Sequence, residues 1–141
     1  MMNRLLVVDD ALFMRKTIGT LATEAGWQVA GEARDGQEAV KLYQELRPDL
    51  VTMDLVMPQM GGLEALQQIR ALDHDARVIV ITALDQKQAL MESIHHGALD
   101  FIVKPFDRAR VLGLFKKLRA HPPTTENGIS QDGEVDRGTV A

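Results

Sequence analysis

Two hydrophobic periodicities alternate five times along this chain, and that alternation restricts the fold more than any other feature. Short apolar runs at Leu5–Val8, Trp27–Ala30, Leu50–Met53, Val78–Ile81 and Phe101–Val103 read as strands. Each is followed by apolar residues at helical spacing. The stripes are Met14, Ile18, Leu21, Ala22 and Ala25; Ala39, Val40, Tyr43 and Leu46; Leu63, Leu66 and Ile69; Leu90 and Ile94; and Val111, Leu112, Phe115 and Leu118. Gly26 and Gly97 are natural helix stops, Asp35-Gly36 marks a turn, and Pro48, Pro58 and Pro105 punctuate the pattern. Strands that alternate with helices predict an α/β fold with a parallel sheet covered on both faces. Right-handed crossovers leave few topologies, and for five strands the doubly wound order 2-1-3-4-5 is the expected one.

The 141 residues suit one domain with a sizeable core, assigned to 1–120. From about His121 the composition changes: Pro122-Pro123 leads into a polar stretch that cannot bury enough surface to offset its ordering entropy, so 121–141 is expected to be a disordered tail. A net charge of -4 gives no support for nucleic-acid binding. The absence of cysteine excludes disulfides, thiolate catalysis and cysteine-ligated zinc, and fits a reducing compartment. No run approaches the roughly 18 apolar residues of a membrane span, and no signal segment opens the chain, so a cytoplasmic protein is expected.

In a parallel α/β sheet, ligands bind beyond the carboxyl ends of the strands. Asp9 and Asp10 follow the first strand, Asp54 the third, Thr82 the fourth, and Lys104-Pro105 the fifth. Each alone has an ordinary explanation: an Asp after a strand is more often a helix cap, and a lone Lys is more often a solvated charge. Their joint arrival on one rim from four strands is much harder to explain by capping. Gathered carboxylates repel one another unless a cation intervenes. An all-oxygen donor set favours a hard ion such as Mg²⁺, which takes one or two carboxylates and phosphate oxygens. A carboxylate can also act as a nucleophile toward phosphorus, forming an acyl phosphate. His74, His95, His96 and His121 form no plausible metal set.

The stretches LLVVDD, VTMDLVMPQMGG, VIVITA and DFIVKPF, in this order and spacing, strongly resemble the receiver domains of response regulators. The resemblance covers about Asn3 to Leu118 and is nearest to the stand-alone, chemotaxis-type regulators called CheY-like, which have a flavodoxin-like fold. It implies that Asp54 is the phosphoacceptor, that Asp10 binds Mg²⁺ directly and Asp9 mainly through water, and that the backbone carbonyl of Val56 is a further ligand. It implies that Lys104 contacts the phosphoryl group, that Thr82 moves toward it, and that Phe101 turns inward as Thr82 moves. Family members often carry Tyr where Phe101 stands, so an output that uses that hydroxyl is in doubt here. The Lys104–Pro105 bond is expected to be cis. Val56 and Leu84 stand where side chains often tune dephosphorylation; both are apolar and cannot hydrogen-bond an attacking water, so a long-lived phosphoryl group is expected.

The resemblance further implies a switch rather than an enzyme, phosphorylated by a sensor histidine kinase as part of a two-component system. Its output would be a protein partner: a flagellar motor switch component, or another phosphotransfer protein in a relay, with a phosphatase as a further partner. The fourth helix, fifth strand and last helix form the family's output surface. Here Arg108, Arg110, Lys116, Lys117 and Arg119 lie on or beside the last helix, where a solvated face is the ordinary reading. Rival functions fare worse. A haloacid-dehalogenase-type phosphatase wants its nucleophile in a D-x-D motif after the first strand, but Asp9 and Asp10 are adjacent. A flavin carrier needs a phosphate cradle where these two acids stand. A receiver that binds partners without phosphorylation would not need the intact set of acids, Thr82 and Lys104.

Overall fold

The computed structural model of the protein describes residues 3–119. The elements are β1 (Arg4–Val8), α1 (Leu12–Glu24), β2 (Gln28–Ala33), α2 (Gly36–Leu46), β3 (Leu50–Met53), α3 (Gly62–Leu72), β4 (Val78–Thr82), α4 (Lys87–His95), β5 (Asp100–Val103) and α5 (Arg108–Leu118). All strand pairings are parallel, in the order β2-β1-β3-β4-β5. The α/β doubly wound architecture read from the sequence is the one observed. The expected disorder of 121–141 lies outside the described residues.

Period-two alternation divides the core between the two faces of the sheet. Leu5, Val7, Leu50, Ile79, Ile81 and Ile102 pack against Ile18, Leu21 and Ala22 of α1 and Val111, Leu114 and Phe115 of α5. Leu6, Val8, Val51, Met53, Val78 and Val80 pack against Ala39 and Tyr43 of α2 and Ala65, Leu66 and Ile69 of α3. Every residue of β3 and β4 is buried, which is why those runs carry no polar alternation. Burying a side chain such as Phe115 stabilises the fold by about 2 kcal/mol. Gly26 and Gly97 end α1 and α4 with φ of 95° and 105°, a left-handed backbone that glycine adopts without steric cost.

β1, β4 and β5 each run one residue further than their sequence readings, β4 taking in Thr82, and β2 differs most. The second strand spans Gln28–Ala33 rather than Trp27–Ala30. Trp27 precedes it, buried in the α1/α5 core, with its Nε1 donating to the Phe115 carbonyl at 2.8 Å. β2 is an edge strand whose later residues include Gly31 and Glu32, so apolar content hides its true extent. A register shift between Leu5 and Leu6 accommodates the extra residue.

The pole opposite the carboxyl ends of the strands is clamped by side chains. Arg77 donates to the carbonyl of Leu118 and, at 3.5 Å, to that of Asp49, while Arg119 donates to Ala25 at 3.3 Å. Together with Trp27 they bind the last turn of α5, including carbonyls left free by the helix. On the α2/α3 side, the Tyr43 hydroxyl donates to Asp73 at 2.7 Å. Burial, then this bond and the Asp73 charge, pushes the Tyr43 phenol above its ordinary range, while the same bond holds Asp73 below its own. A phenol with a raised folded-state pKa stabilises fully below its unfolded value near 10 and loses that contribution as pH climbs through the folded value. Asp73 acts in the opposite sense, losing its contribution as pH falls below about 4. We expect Tyr43→Phe to cost about 1 kcal/mol at neutral pH and to flatten the alkaline fall in stability above pH ~10, measured by urea unfolding across pH. A variant whose alkaline limb matches wild type counts against the pair.

Thr52, in the middle of β3, is 1% exposed, and its hydroxyl is the buried side-chain oxygen without a partner among the described residues. An unsatisfied buried hydroxyl costs roughly 1–3 kcal/mol. Thr52→Val keeps the shape and removes the hydroxyl, so it is expected to raise stability by about 1 kcal/mol in urea unfolding. A destabilised variant would reveal a bridging water that satisfies Thr52.

Candidate functional site: an acid cluster with one lysine

The site forms where β1, β3 and β5 run out. Carried one step past the strands, the alternation puts Asp9 in phase with Val7, Asp54 with Thr52, and Lys104 with Ile102, all on the α1/α5 side. Carboxylate oxygens of Asp9, Asp10 and Asp54 lie within 4.8 Å of one another. Lys104 Nζ donates to Asp9 Oδ2 at 2.7 Å and to Asp54 Oδ2 at 3.3 Å. Burial works against the charge on Lys104, but its hydrogen bond to Asp9 and the nearby charges of Asp54 and Asp9 prevail and hold its pKa above the usual lysine value. The Lys104–Pro105 peptide is cis, as expected, and the Lys104 N–H donates to the Thr82 carbonyl at 2.7 Å.

The three acids are held unequally. Asp9 is buried, and each of its polar groups is engaged. Its N–H donates to Ala33 at 3.0 Å. Its carboxylate accepts from Ala11 N–H at 2.9 Å as well as from Lys104, and its carbonyl accepts from Arg15 at 2.9 Å. Asp54 is 6% exposed, and its Oδ1 accepts from the Val56 N–H at 3.2 Å. Asp10 is exposed, and its carboxylate takes no hydrogen bond among the described residues. Asp9 and Asp54 each have both carboxylate oxygens bonded, Asp54 by longer contacts, and Asp10 is free to turn. Three hard oxygen donors in reach of one another, only two of them met by an ammonium, fit a small divalent cation such as Mg²⁺.

The loop after β3 keeps Asp54 in place through backbone contacts. The Gly62 N–H donates to the Leu55 carbonyl at 3.1 Å, and a Cβ on Gly62 would run into the backbone of Asp54 and Leu55. The Gly36 N–H donates to Met60 at 2.8 Å and ties the start of α2 to the same loop. Val56 is 59% exposed beside Asp54, and Leu84 is half-buried.

Not every sequence-nominated residue joins the cluster. Thr82 is fully buried, in phase with Val78 and Val80 on the α2/α3 face, and its Oγ1 accepts from the Leu84 N–H at 3.2 Å. Phe101 is half-buried and packs on that same face. Sequence reading also passed over Arg15. Only 8% of it is exposed; it donates to the Asp9 carbonyl and, through Nε at 2.9 Å, to Glu32, whose other oxygen accepts from Lys16 at 2.7 Å. These bonds, the Lys16 bond foremost, hold the Glu32 carboxyl below its ordinary range.

Comparison with known proteins shows the family of the chain. The family model for the response regulator receiver domain matches residues 5–116. The chain is 48% identical over 116 residues to the chemotaxis protein CheY of Thermotoga maritima, which spans 82% of this chain and 97% of that protein. It is 46% identical over 117 residues to CheY of Bacillus subtilis, covering 83% and 98%. Among solved structures, a CheX-CheY-BeF3-Mg complex from Borrelia burgdorferi superposes with a TM-score of 0.76 at 41% identity, covering 78% of this chain and 84% of that one.

Proposed function

Because this chain belongs to the response regulator receiver domains and is related to the chemotaxis CheY proteins, we propose that it is a phosphorylation switch whose acceptor is Asp54. The observation that carries this reading is the meeting of Asp9, Asp10 and Asp54 around Lys104. A carboxylate oxygen of Asp54 attacks the phosphorus of a phosphohistidine on a sensor histidine kinase. The P–O bond forms as the P–N bond breaks, and the departing imidazole takes up a proton. Lys104, already against Asp54, neutralises phosphoryl oxygens as they arrive. The Val56 N–H steadies the Asp54 oxygen that it bonds. Asp10, Asp54 and the Val56 carbonyl would hold Mg²⁺, with Asp9 acting mainly through a metal-bound water. The ion would supply positive charge to the phosphoryl oxygens.

Thr82 and Phe101 are the transmitting pair in this reading. A phosphoryl group draws the Thr82 hydroxyl from Leu84 N–H, and Phe101, on the same face, follows into the space. Phosphorylation thus tilts an existing equilibrium between two packings. The output is a protein contact, with a flagellar motor switch component as the proposed partner. The relationship to CheY proteins supports that choice, and a relative captured with CheX supports a protein as the kind of partner. Among the described residues no helix is long and apolar enough to cross a membrane, and we assign the switch to the cytoplasm.

Intact mass after incubation with acetyl phosphate tests the acceptor chemistry. One phosphoryl adduct, dependent on Mg²⁺, is expected. With apolar Val56 and Leu84 beside the site, the adduct is expected to outlast minutes once the donor is removed. No adduct, under conditions that label another receiver, would leave a binding module that works without phosphorylation.

A further inference from the structure

We propose that Arg15 is a positioning residue for the acid site: by bonding the Asp9 carbonyl it fixes the peptide that joins Asp9 to Asp10, and so sets the direction of the Asp10 carboxylate. This rests on reading Asp9, Asp10 and Asp54 as the Mg²⁺ site.

Asp10 has the greatest freedom of the three acids. Its side chain is exposed and takes no hydrogen bond among the described residues, so its backbone alone sets the Cα–Cβ direction from which the carboxylate can reach an ion. That backbone begins at the Asp9–Asp10 peptide, whose plane contains both the Asp9 carbonyl and the Asp10 N–H. Arg15 Nη1 holds the carbonyl at 2.9 Å in a buried bond. Arg15 in turn is fixed by Glu32, which Lys16 holds from the other side. Ala33, next to Glu32 on β2, accepts from the Asp9 N–H at 3.0 Å. One edge strand therefore grips the acid loop twice, directly at Ala33 and through Arg15 at Glu32.

Burying a guanidinium is costly unless its donors are matched, and this one matches two acceptors from different elements. Lysine cannot substitute fully, because a single ammonium lacks the planar fork that serves both at once.

Two opposed effects make the idea decidable. A cation near the acids repels an incoming Mg²⁺, so charge alone predicts that removing Arg15 tightens Mg²⁺ binding. Loss of positioning predicts that it weakens binding. Partners that orient metal ligands are typically worth 10–100-fold in affinity.

The experiment is calorimetric titration of Mg²⁺ into the full chain as wild type, Arg15→Met, Arg15→Lys and Glu32→Gln, with circular dichroism to check folding. Arg15→Met is expected to raise the Mg²⁺ Kd roughly tenfold. Arg15→Lys and Glu32→Gln should give smaller rises, and they decide the matter if Arg15→Met does not fold. The Mg²⁺ concentration for half-maximal labelling by acetyl phosphate should shift by the same factor. Excess Mg²⁺ should recover labelling, which a merely structural loss would not allow. Wild-type binding with unchanged or tighter binding in the folded variants overturns the proposal alone. A wild type that binds no Mg²⁺ overturns the metal reading, and this proposal with it.

Discussion

With Asp54 replaced by Asn, the protein is expected to gain no phosphoryl adduct from acetyl phosphate at any Mg²⁺ concentration, while keeping its fold. The amide is nearly isosteric with the carboxylate but neutral, and it offers no anionic oxygen to attack phosphorus. The fold should survive because little else depends on that charge. The amide oxygen can still accept from the Val56 N–H. Lys104 keeps its shorter contact, 2.7 Å to Asp9, when the 3.3 Å contact to Asp54 is weakened. Intact mass gives the adduct, and a thermal melt gives the fold. A labelled Asn variant would move the acceptor to another residue, with exposed Asp10 the first to examine.

Gly62→Ala should bring the largest loss of stability, about 3 kcal/mol, or a Tm lower by on the order of 10 °C. The new methyl group would meet backbone atoms of Asp54 and Leu55, which cannot swing aside as a flexible side chain can. The loop must retreat, and Asp54 moves with it, so labelling should slow as well. Gly113→Ala is the control. A Cβ there meets nothing within 4 Å, and Gly113 lies inside α5. Alanine at an exposed helical site is worth up to about 1 kcal/mol over glycine, so that variant should be slightly more stable. Thermal melts of both decide the point. Equal Tm values for Gly62→Ala and wild type would show that the loop yields easily.

Much of this was written in local pattern. Apolar runs located the strands, and the residue after each run located the acids and Lys104, because strand ends in a parallel sheet share one rim. What periodicity leaves out is contact between elements far apart in sequence. Arg15 looks like any cation early in a helix until Glu32, 17 residues on, is brought beside it. The tight approach of Gly62 to Asp54 is a backbone event that no side-chain pattern records. The true extent of β2 was hidden for a different reason. An edge strand buries less, so Gly31 and Glu32 are tolerated in it and mask the apolar run. Thr52 is the reverse case: it reads as an ordinary strand former, and only burial makes its hydroxyl conspicuous.

The clamp that Trp27, Arg77 and Arg119 close around the end of α5 has a practical consequence. It anchors the described chain's last turn at the pole farthest from the acids, so force applied there is borne by the clamp before it reaches the rim. Arg119 is therefore a natural handle: a surface tether, fluorophore or fused protein attached beyond it should leave the phosphoacceptor open to its donor.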